Sequence, residues 1–132
     1  MNGRDSRAYE IKNGIRQLTA DQTFVAREVA CGNMTEEQAK MDERRNVLLQ
    51  CVGASEEVYP DMFFGEVQRD AVYMLCSDGF RHEITPEEIG EGLQPEKLLD
   101  EHKMQCCATE LVEKNKMRGE RDNISVALVR TF

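Results

Sequence analysis

The chain has 132 residues, of which 40% are hydrophobic, and its 25 acidic against 17 basic side chains give a formal net charge of −8. This length and composition suit one folded domain and exclude global disorder. The acidic excess argues against nucleic acid as a partner, because binding phosphates requires clustered Lys and Arg.

The sequence also bears on where the protein works. It contains no apolar stretch as long as a membrane-spanning helix, and its polar N-terminus has no signal-peptide core. The five cysteines are odd in number and include no CxxC pair, a usage typical of reduced thiols rather than of disulfides or zinc sites. We therefore expect a soluble cytoplasmic protein without a membrane partner.

The first predicted elements are a hairpin and a helix. Residues 6–19 hold two short strand patterns around Asn13-Gly14, the strongest short signal for a hairpin turn. Residues 21–31 have the three- and four-residue apolar spacing of a helix, and Gly32 predicts its end.

A second helix and two strands are predicted next. The helix covers residues 35–45, where Thr35 and Gln38 form a capping-box pattern. The apolar run at 46–53 predicts a strand, and 62–67 is a weaker strand candidate.

The last part of the chain predicts a buried strand at 71–77, a helix beginning at Thr85, a long helix over about 95–116 that ends at Gly119, and a final strand within 123–132. The predicted core face of the long helix consists of Leu98, Leu99, Met104, Ala108, Leu111 and Val112. The order of elements predicts an α+β fold, and the adjacent strand candidates favour antiparallel pairing.

Two acidic residues stand at strand ends. Asp78 follows the buried strand and precedes Gly79, which allows a tight turn, while Asp122 directly precedes the last strand. If these strands are antiparallel neighbours, both carboxylates meet at one edge of the sheet, where a shared Mg²⁺, Mn²⁺ or Ca²⁺ would relieve their repulsion. Taken singly, Asp78 and Asp122 are each better explained as turn residues, and Asp5 on spacing alone is a solvated charge.

Six segments taken in order resemble the C-terminal half of the metal-dependent type 2C protein serine/threonine phosphatases, the PPM family. The matching segments are Asp5-Ser6-Arg7, Leu18-Thr19-Ala20-Asp21-Gln22, Gly32-Asn33-Met34-Thr35, Arg45-Asn46-Val47-Leu48, Ser77-Asp78-Gly79 and Arg121-Asp122-Asn123-Ile124-Ser125. The resemblance runs from about residue 3 to residue 132.

The resemblance implies an α-β-β-α sandwich of mainly antiparallel sheets with a two-metal site at one end. It implies that Asp78 and Asp122 bind Mn²⁺ or Mg²⁺, that Asp5 helps to hold a weaker third ion, and that Gly79 and Asn123 lie near the site. Residues 20–46 would form a flap that shapes substrate access.

The activity implied is hydrolysis of phosphoserine and phosphothreonine in a phosphoprotein substrate. In the family, two metal ions lower the pKa of a water molecule and orient it for in-line attack on phosphorus. No protein nucleophile is needed, so the lack of an obvious Cys/His or Ser/His pair is consistent with this function.

Three departures from the family pattern qualify the expectation. The family begins with roughly a hundred further residues, including an Asp-Gly that bridges both metals and an Arg that binds the substrate phosphate, so we expect residues 1–132 to be one truncated domain. Arg4 separates Gly3 from Asp5, and His82 stands where many members carry another Asp ligand. His82 is therefore as consistent with an ordinary surface histidine as with a ligand.

The truncation leaves alternatives open. A non-catalytic, phosphatase-like remnant that acts as an interaction domain is the main one. A receiver domain also places an Asp at a strand end, but its order of acidic and lysine residues differs. Since a sheet taken out of a sandwich exposes an apolar face, we expect self-association or pairing with the missing N-terminal segment.

Overall fold

The computed structural model describes residues 6–45, 47–51 and 53–132. Its described residues divide into two compact units, Ala20–Phe64 on the one hand and Ser6–Thr19 with Gly65–Phe132 on the other. The elements in chain order are β1 (Arg7–Ile11), β2 (Ile15–Gln17), α1 (Phe24–Ala30), α2 (Glu36–Met41), β3 (Val72–Cys76), α3 (Pro86–Gly92), α4 (Glu101–Met117) and β4 (Val126–Arg130). Within these ranges no helix is both long and apolar enough to cross a membrane.

The second unit contains a four-stranded sheet in the order β2-β1-β3-β4. Every neighbouring pair is antiparallel, and Met74 in the middle of β3 lies opposite Tyr9 of β1 and Leu128 of β4. The predicted α+β class with antiparallel pairing is confirmed. The antiparallel sheet also excludes a receiver domain, because that fold is built on parallel strands.

The hairpin of β1 and β2 turns where the sequence predicts it. Ile11 pairs with Ile15, and the loop between them has positive φ angles of 54° at Asn13 and 130° at Gly14. Asn and Gly tolerate this left-handed backbone better than other residues do, which explains the position of the turn.

One face of the sheet forms the core. Alternating residues of β1 and β3 point into a cluster that helices α3 and α4 complete with Ile89 and Leu111. The fully buried members include Ile11, Val72, Met74, Phe80, Leu93 and Leu98. The other face leaves Leu75 and Val129 exposed.

Helix α3 begins as predicted. The Thr85 hydroxyl accepts a hydrogen bond from the Glu88 backbone N–H at 3.1 Å, the Glu88 side chain accepts one from the Thr85 N–H, and Pro86 is the first helical residue. This reciprocal pair satisfies two backbone donors that a helix start otherwise leaves unpaired.

The predicted helix over 95–116 is wrong at its beginning. Pro95–Lys97 form a single 3₁₀ turn, and α4 starts after Asp100, whose side chain caps the helix by accepting from the Lys103 N–H at 2.8 Å. The short turn buries Leu98 but leaves Leu99 exposed, contrary to the predicted core face. The helix ends before Gly119, which has a φ of 96°.

The first unit contains α1 and α2. Thr23 caps α1, and Gly32, with a φ of 80°, follows its end. Thr35 and Gln38 form the predicted capping box, although α2 ends at Met41 rather than near residue 45.

The two remaining strand predictions are wrong. Among the described residues of 46–53, pairing is limited to an isolated bridge between Leu48 and Thr23, and the described backbone of 62–67 forms no strand. Met62 and Phe64 are exposed instead. Apolar composition alone does not make a strand when no partner strand pairs with it.

Candidate metal centre

The two predicted acids lie in turns that meet at one edge of the sheet. The last pair of the β3–β4 ladder is Cys76 with Val126, so the end of β3 lies beside the start of β4. Pairing continues beyond the strands, because the Ser77 N–H donates to the Ser125 carbonyl at 3.0 Å and the Ser125 N–H donates to Ser77 Oγ at 3.0 Å.

Asp78 is the first residue of a 3₁₀ turn, Asp78–Phe80, that directly follows this pairing. Its backbone carbonyl accepts hydrogen bonds from the N–H groups of Arg81 and His82 at 2.9 and 3.1 Å. Its carboxylate is buried and lies 3.6 Å from the Arg81 guanidinium, with the two side chains 10% and 16% exposed. Arg81 therefore balances a carboxylate that burial would otherwise destabilise.

Gly79 brings the two turns into contact. A Cβ at this position would lie 2.1 Å from the Asn123 carbonyl oxygen and 3.4 Å from Cβ of Asp122. No side chain fits in that space, so glycine is required for close approach rather than for an unusual backbone angle. Of the predicted neighbours of the site, Gly79 and Asn123 are thus in direct contact across the edge.

A buried side-chain amide on α4 holds the Asp78–Phe80 turn by a hydrogen bond. Asn115 on α4 is fully buried, and its side-chain N–H groups donate to the Phe80 carbonyl at 2.8 Å and to the Leu111 carbonyl at 3.0 Å. Sequence reasoning missed this residue. The signal for it was a polar side chain four residues after Leu111, on the buried face of the helix.

The segment after β3 and the turn before β4 together supply a second group of ligand atoms. His82, Glu120 and Asp122 each offer one ligand atom, and these atoms all lie within 4.8 Å of one another. His82 Nδ1 is 3.1 Å from Glu120 Oε2, and the Asp122 N–H donates to Glu120 Oε1 at 2.9 Å. Among the described residues no other group of three His, Cys, Asp or Glu side chains is this close.

The edge therefore brings together Asp78, Gly79, His82, Asp122 and Asn123, all of which the sequence singled out. Glu120 was missed, although an acid two residues before Asp122 in the same turn was a visible signal. Asp5 lies outside the described residues. Since carboxylate oxygens are the donors that Mg²⁺ and Mn²⁺ prefer, the donor set fits a divalent cation.

Comparisons with known proteins identify the class. No family model matches the chain. The serine/threonine phosphatase Stp of Listeria innocua is 33% identical over 126 residues, which are 95% of this chain and 48% of that protein. The PstP phosphatase of Mycobacterium tuberculosis is 32% identical over 126 residues, 94% of this chain and 23% of that protein.

Solved structures agree with the sequence relatives. The serine/threonine phosphatase of S. agalactiae superposes with a TM-score of 0.83 at 31% identity, over 97% of this chain and 51% of that one. The catalytic domain of PstP in complex with two manganese ions superposes with a TM-score of 0.71 at 27% identity, over 97% of this chain and 54% of that one.

The fold and these matches define a class, and the chain is similar in sequence and fold to the PPM-type serine/threonine phosphatases, as the order of its motifs predicts. Within that class its matches are bacterial phosphatases of the Stp and PstP kind. The chain spans about half the length of the Listeria relatives.

Proposed function

We propose that the chain forms part of the catalytic domain of a manganese- or magnesium-dependent protein serine/threonine phosphatase. Asp78 and Asp122 are its proposed metal ligands, and Asp5 is proposed to help hold a further ion. The observation that carries the proposal is the contact between the two turns at the β3–β4 edge, with Gly79 against Asn123. The two manganese ions bound by PstP, a relative of this chain, support the choice of metal.

The residues of the edge have distinct proposed roles. Asp78 and Asp122 supply hard oxygen donors from opposite turns, and the Asn123 backbone N–H donates to Asp122 Oδ1 at 2.6 Å, which orients that carboxylate. When bound, the metal supplies Lewis acidity that activates water for attack on phosphorus and offsets the charge of the phosphoryl group. The proposed substrates are phosphoserine and phosphothreonine in proteins, and residues 20–46 are the proposed flap.

The nearest thiol supports a reaction without a protein nucleophile. Cys76 ends β3 next to the proposed metal ligands, and its side chain is buried in the core. Burial raises the pKa of the Cys76 thiol above its ordinary value. Because a thiol attacks phosphorus only as the thiolate, Cys76 is poorly suited to nucleophilic catalysis.

A non-catalytic interaction domain is the second candidate function. The ion pair between Asp78 and Arg81 favours it, because Arg81 already neutralises the carboxylate that would bind metal. Exposure of Leu75 and Val129, each 61%, on the outer face of the sheet favours a protein partner, a second copy of the chain or a complementary N-terminal segment. A folded chain that sediments as a monomer and binds no dye for exposed apolar surface would contradict this partner proposal.

One assay separates the two functions. We expect the chain to hydrolyse an aryl phosphate in the presence of Mn²⁺, and we expect the Asp78→Asn variant to lose that activity. Glu96→Gln is the matched control, since it removes one carboxylate charge at an exposed position away from the edge. A wild-type chain that is folded by circular dichroism and inactive with Mn²⁺ would favour the interaction domain.

A further inference from the structure

Arg81 places a full positive charge beside one of the two proposed metal ligands. It directly follows the Asp78–Phe80 turn, and its backbone N–H donates to the Asp78 carbonyl at 2.9 Å. Because side chains three residues apart lie over one another in a 3₁₀ turn, this backbone hydrogen bond brings the guanidinium to the Asp78 carboxylate. Nη2 of Arg81 lies 3.6 Å from Oδ1 of Asp78. The turn itself therefore builds the ion pair.

Both side chains of this ion pair are largely buried. A guanidinium stays protonated at every pH at which the protein is folded, and salt screens a buried charge much less than an exposed one. The guanidinium also acts on the thiol at the end of β3, because burial raises the pKa of Cys76 and Arg81 partly offsets that rise. The edge of the sheet thus contains a permanent cation of its own.

Orientation of the Asp78 carboxylate is the alternative role for Arg81. Charge-assisted hydrogen bonds that fix a carboxylate are about 2.7–2.9 Å long. The contact of Arg81 Nη2 with Asp78 Oδ1 is longer, at 3.6 Å, so it compensates charge more than it fixes a direction. The two roles predict opposite results, because loss of an orienting group weakens metal binding, whereas loss of a competing cation strengthens it.

We propose that Arg81 competes with a divalent cation for Asp78 and thereby lowers the metal affinity of the β3–β4 edge. The affinity of a carboxylate site for divalent cations depends on the number of charges that its ligands supply. Arg81 cancels one of the two negative charges of Asp78 and Asp122. The proposal rests on the proposed function, because it takes these two acids as the metal ligands.

Binding of Mn²⁺ to the 132-residue chain, followed by electron paramagnetic resonance, tests this role without any measurement of activity. We expect Arg81→Gln to bind Mn²⁺ at least about fivefold more tightly than the wild type, since it removes a full charge beside a divalent cation. Arg81→Met, which keeps the apolar stem of the side chain, should show the same gain. Affinities of both variants that equal or fall below the wild-type value overturn the proposal.

Two further variants show whether the gain comes from the charge beside Asp78. Arg81→Lys keeps that charge and should bind Mn²⁺ like the wild type. Lys103→Gln is the matched control, because it removes an exposed positive charge near the start of α4, whereas Asn115 near the end of that helix contacts the turn. An equal gain in Arg81→Lys or Lys103→Gln overturns the proposal.

The wild-type affinity separates this inference from the proposed function. If the wild type binds Mn²⁺, Asp78→Asn weakens that binding and Arg81→Gln leaves it unchanged, then the metal ligands are supported and the role of Arg81 is wrong. If neither the wild type nor Arg81→Gln binds Mn²⁺ in a folded sample, the assignment of the ligands is contradicted and competition by Arg81 is contradicted with it.

Discussion

Strand β3 and residues 57–67 are both rich in apolar side chains, yet only β3 belongs to a core. β3 lies between β1 and β4, so its backbone groups are paired on both sides, and Met74 is buried against the helices. Residues 57–67 contain no helix or strand, and Phe64 is 89% exposed. Pairing of the backbone, more than apolar content, therefore decides which segment can carry a rigid site.

The largest expected effect comes from truncating one phenylalanine in the turn that follows β3 and one within residues 57–67. Phe80→Ala removes a fully buried ring under the Asp78 turn and should lower the free energy of unfolding by about 3–5 kcal/mol. Phe64→Ala removes an exposed ring and should change it by less than about 0.5 kcal/mol. Urea unfolding measures both, and equal effects of the two changes would show that the regions do not differ as described.

A pair of glycine substitutions distinguishes the close-packed edge from the exposed segment at 57–67. Gly79→Ala places a Cβ against the Asn123 carbonyl and should cost about 1–3 kcal/mol through overpacking. It should also weaken Mn²⁺ binding, because the two turns are forced apart. A Cβ at Gly65 would meet no atom of the described residues within 4 Å, so Gly65→Ala is the control. Thermal unfolding compares the two variants. A Gly79→Ala variant that melts like the wild type would contradict the close approach of Gly79 to Asn123.

Truncation of Asn115 should lower the free energy of unfolding by a smaller amount. Asn115→Ala leaves the Phe80 carbonyl without its buried donor and should cost roughly 1–2 kcal/mol. Lys116→Ala, the exposed neighbour on the same helix, should have little effect. Comparing Mn²⁺ affinity in the two variants tests whether Asn115 supports the turn as well as the core, and equal affinities would limit its role to packing.

The smallest expected effect is a dependence of stability on pH. Hydrogen bonds from Arg118 lower the pKa of Glu88 from 4.5 to about 2. Because the pKa is lower in the folded state, the stabilisation is present above about pH 4.5 and is lost as the pH falls towards 2. Glu88→Gln should therefore flatten the stability profile between pH 5 and 2, and an unchanged profile would mean that this exposed pair contributes nothing measurable.

Local patterns made much of this structure predictable. The Asn13-Gly14 turn, the capping boxes at Thr35 and Thr85, and the antiparallel neighbours β3 and β4 all follow from short stretches of sequence. The failures concern long-range partners. The apolar pattern at 46–53 does not reveal that pairing of its described residues is limited to the bridge between Leu48 and Thr23.

The candidate site was likewise predictable where it depends on local patterns. Asp78 and Asp122 stood out because each adjoins a strong strand pattern, and their shared edge followed from antiparallel pairing. The contact of Gly79 with Asn123 and the approach of His82 to Glu120 depend on how two distant turns pack. Such packing has no signature in the spacing of residues along the chain.

Binding of Mn²⁺ to the chain, followed by electron paramagnetic resonance, tests whether Asp78 and Asp122 are metal ligands. If the β3–β4 edge is a metal centre, wild type and Glu96→Gln should bind Mn²⁺ equally, while Asp78→Asn and Asp122→Asn should each bind it at least about tenfold more weakly. Equal Mn²⁺ affinity in all four folded proteins would contradict the assignment of Asp78 and Asp122 as metal ligands.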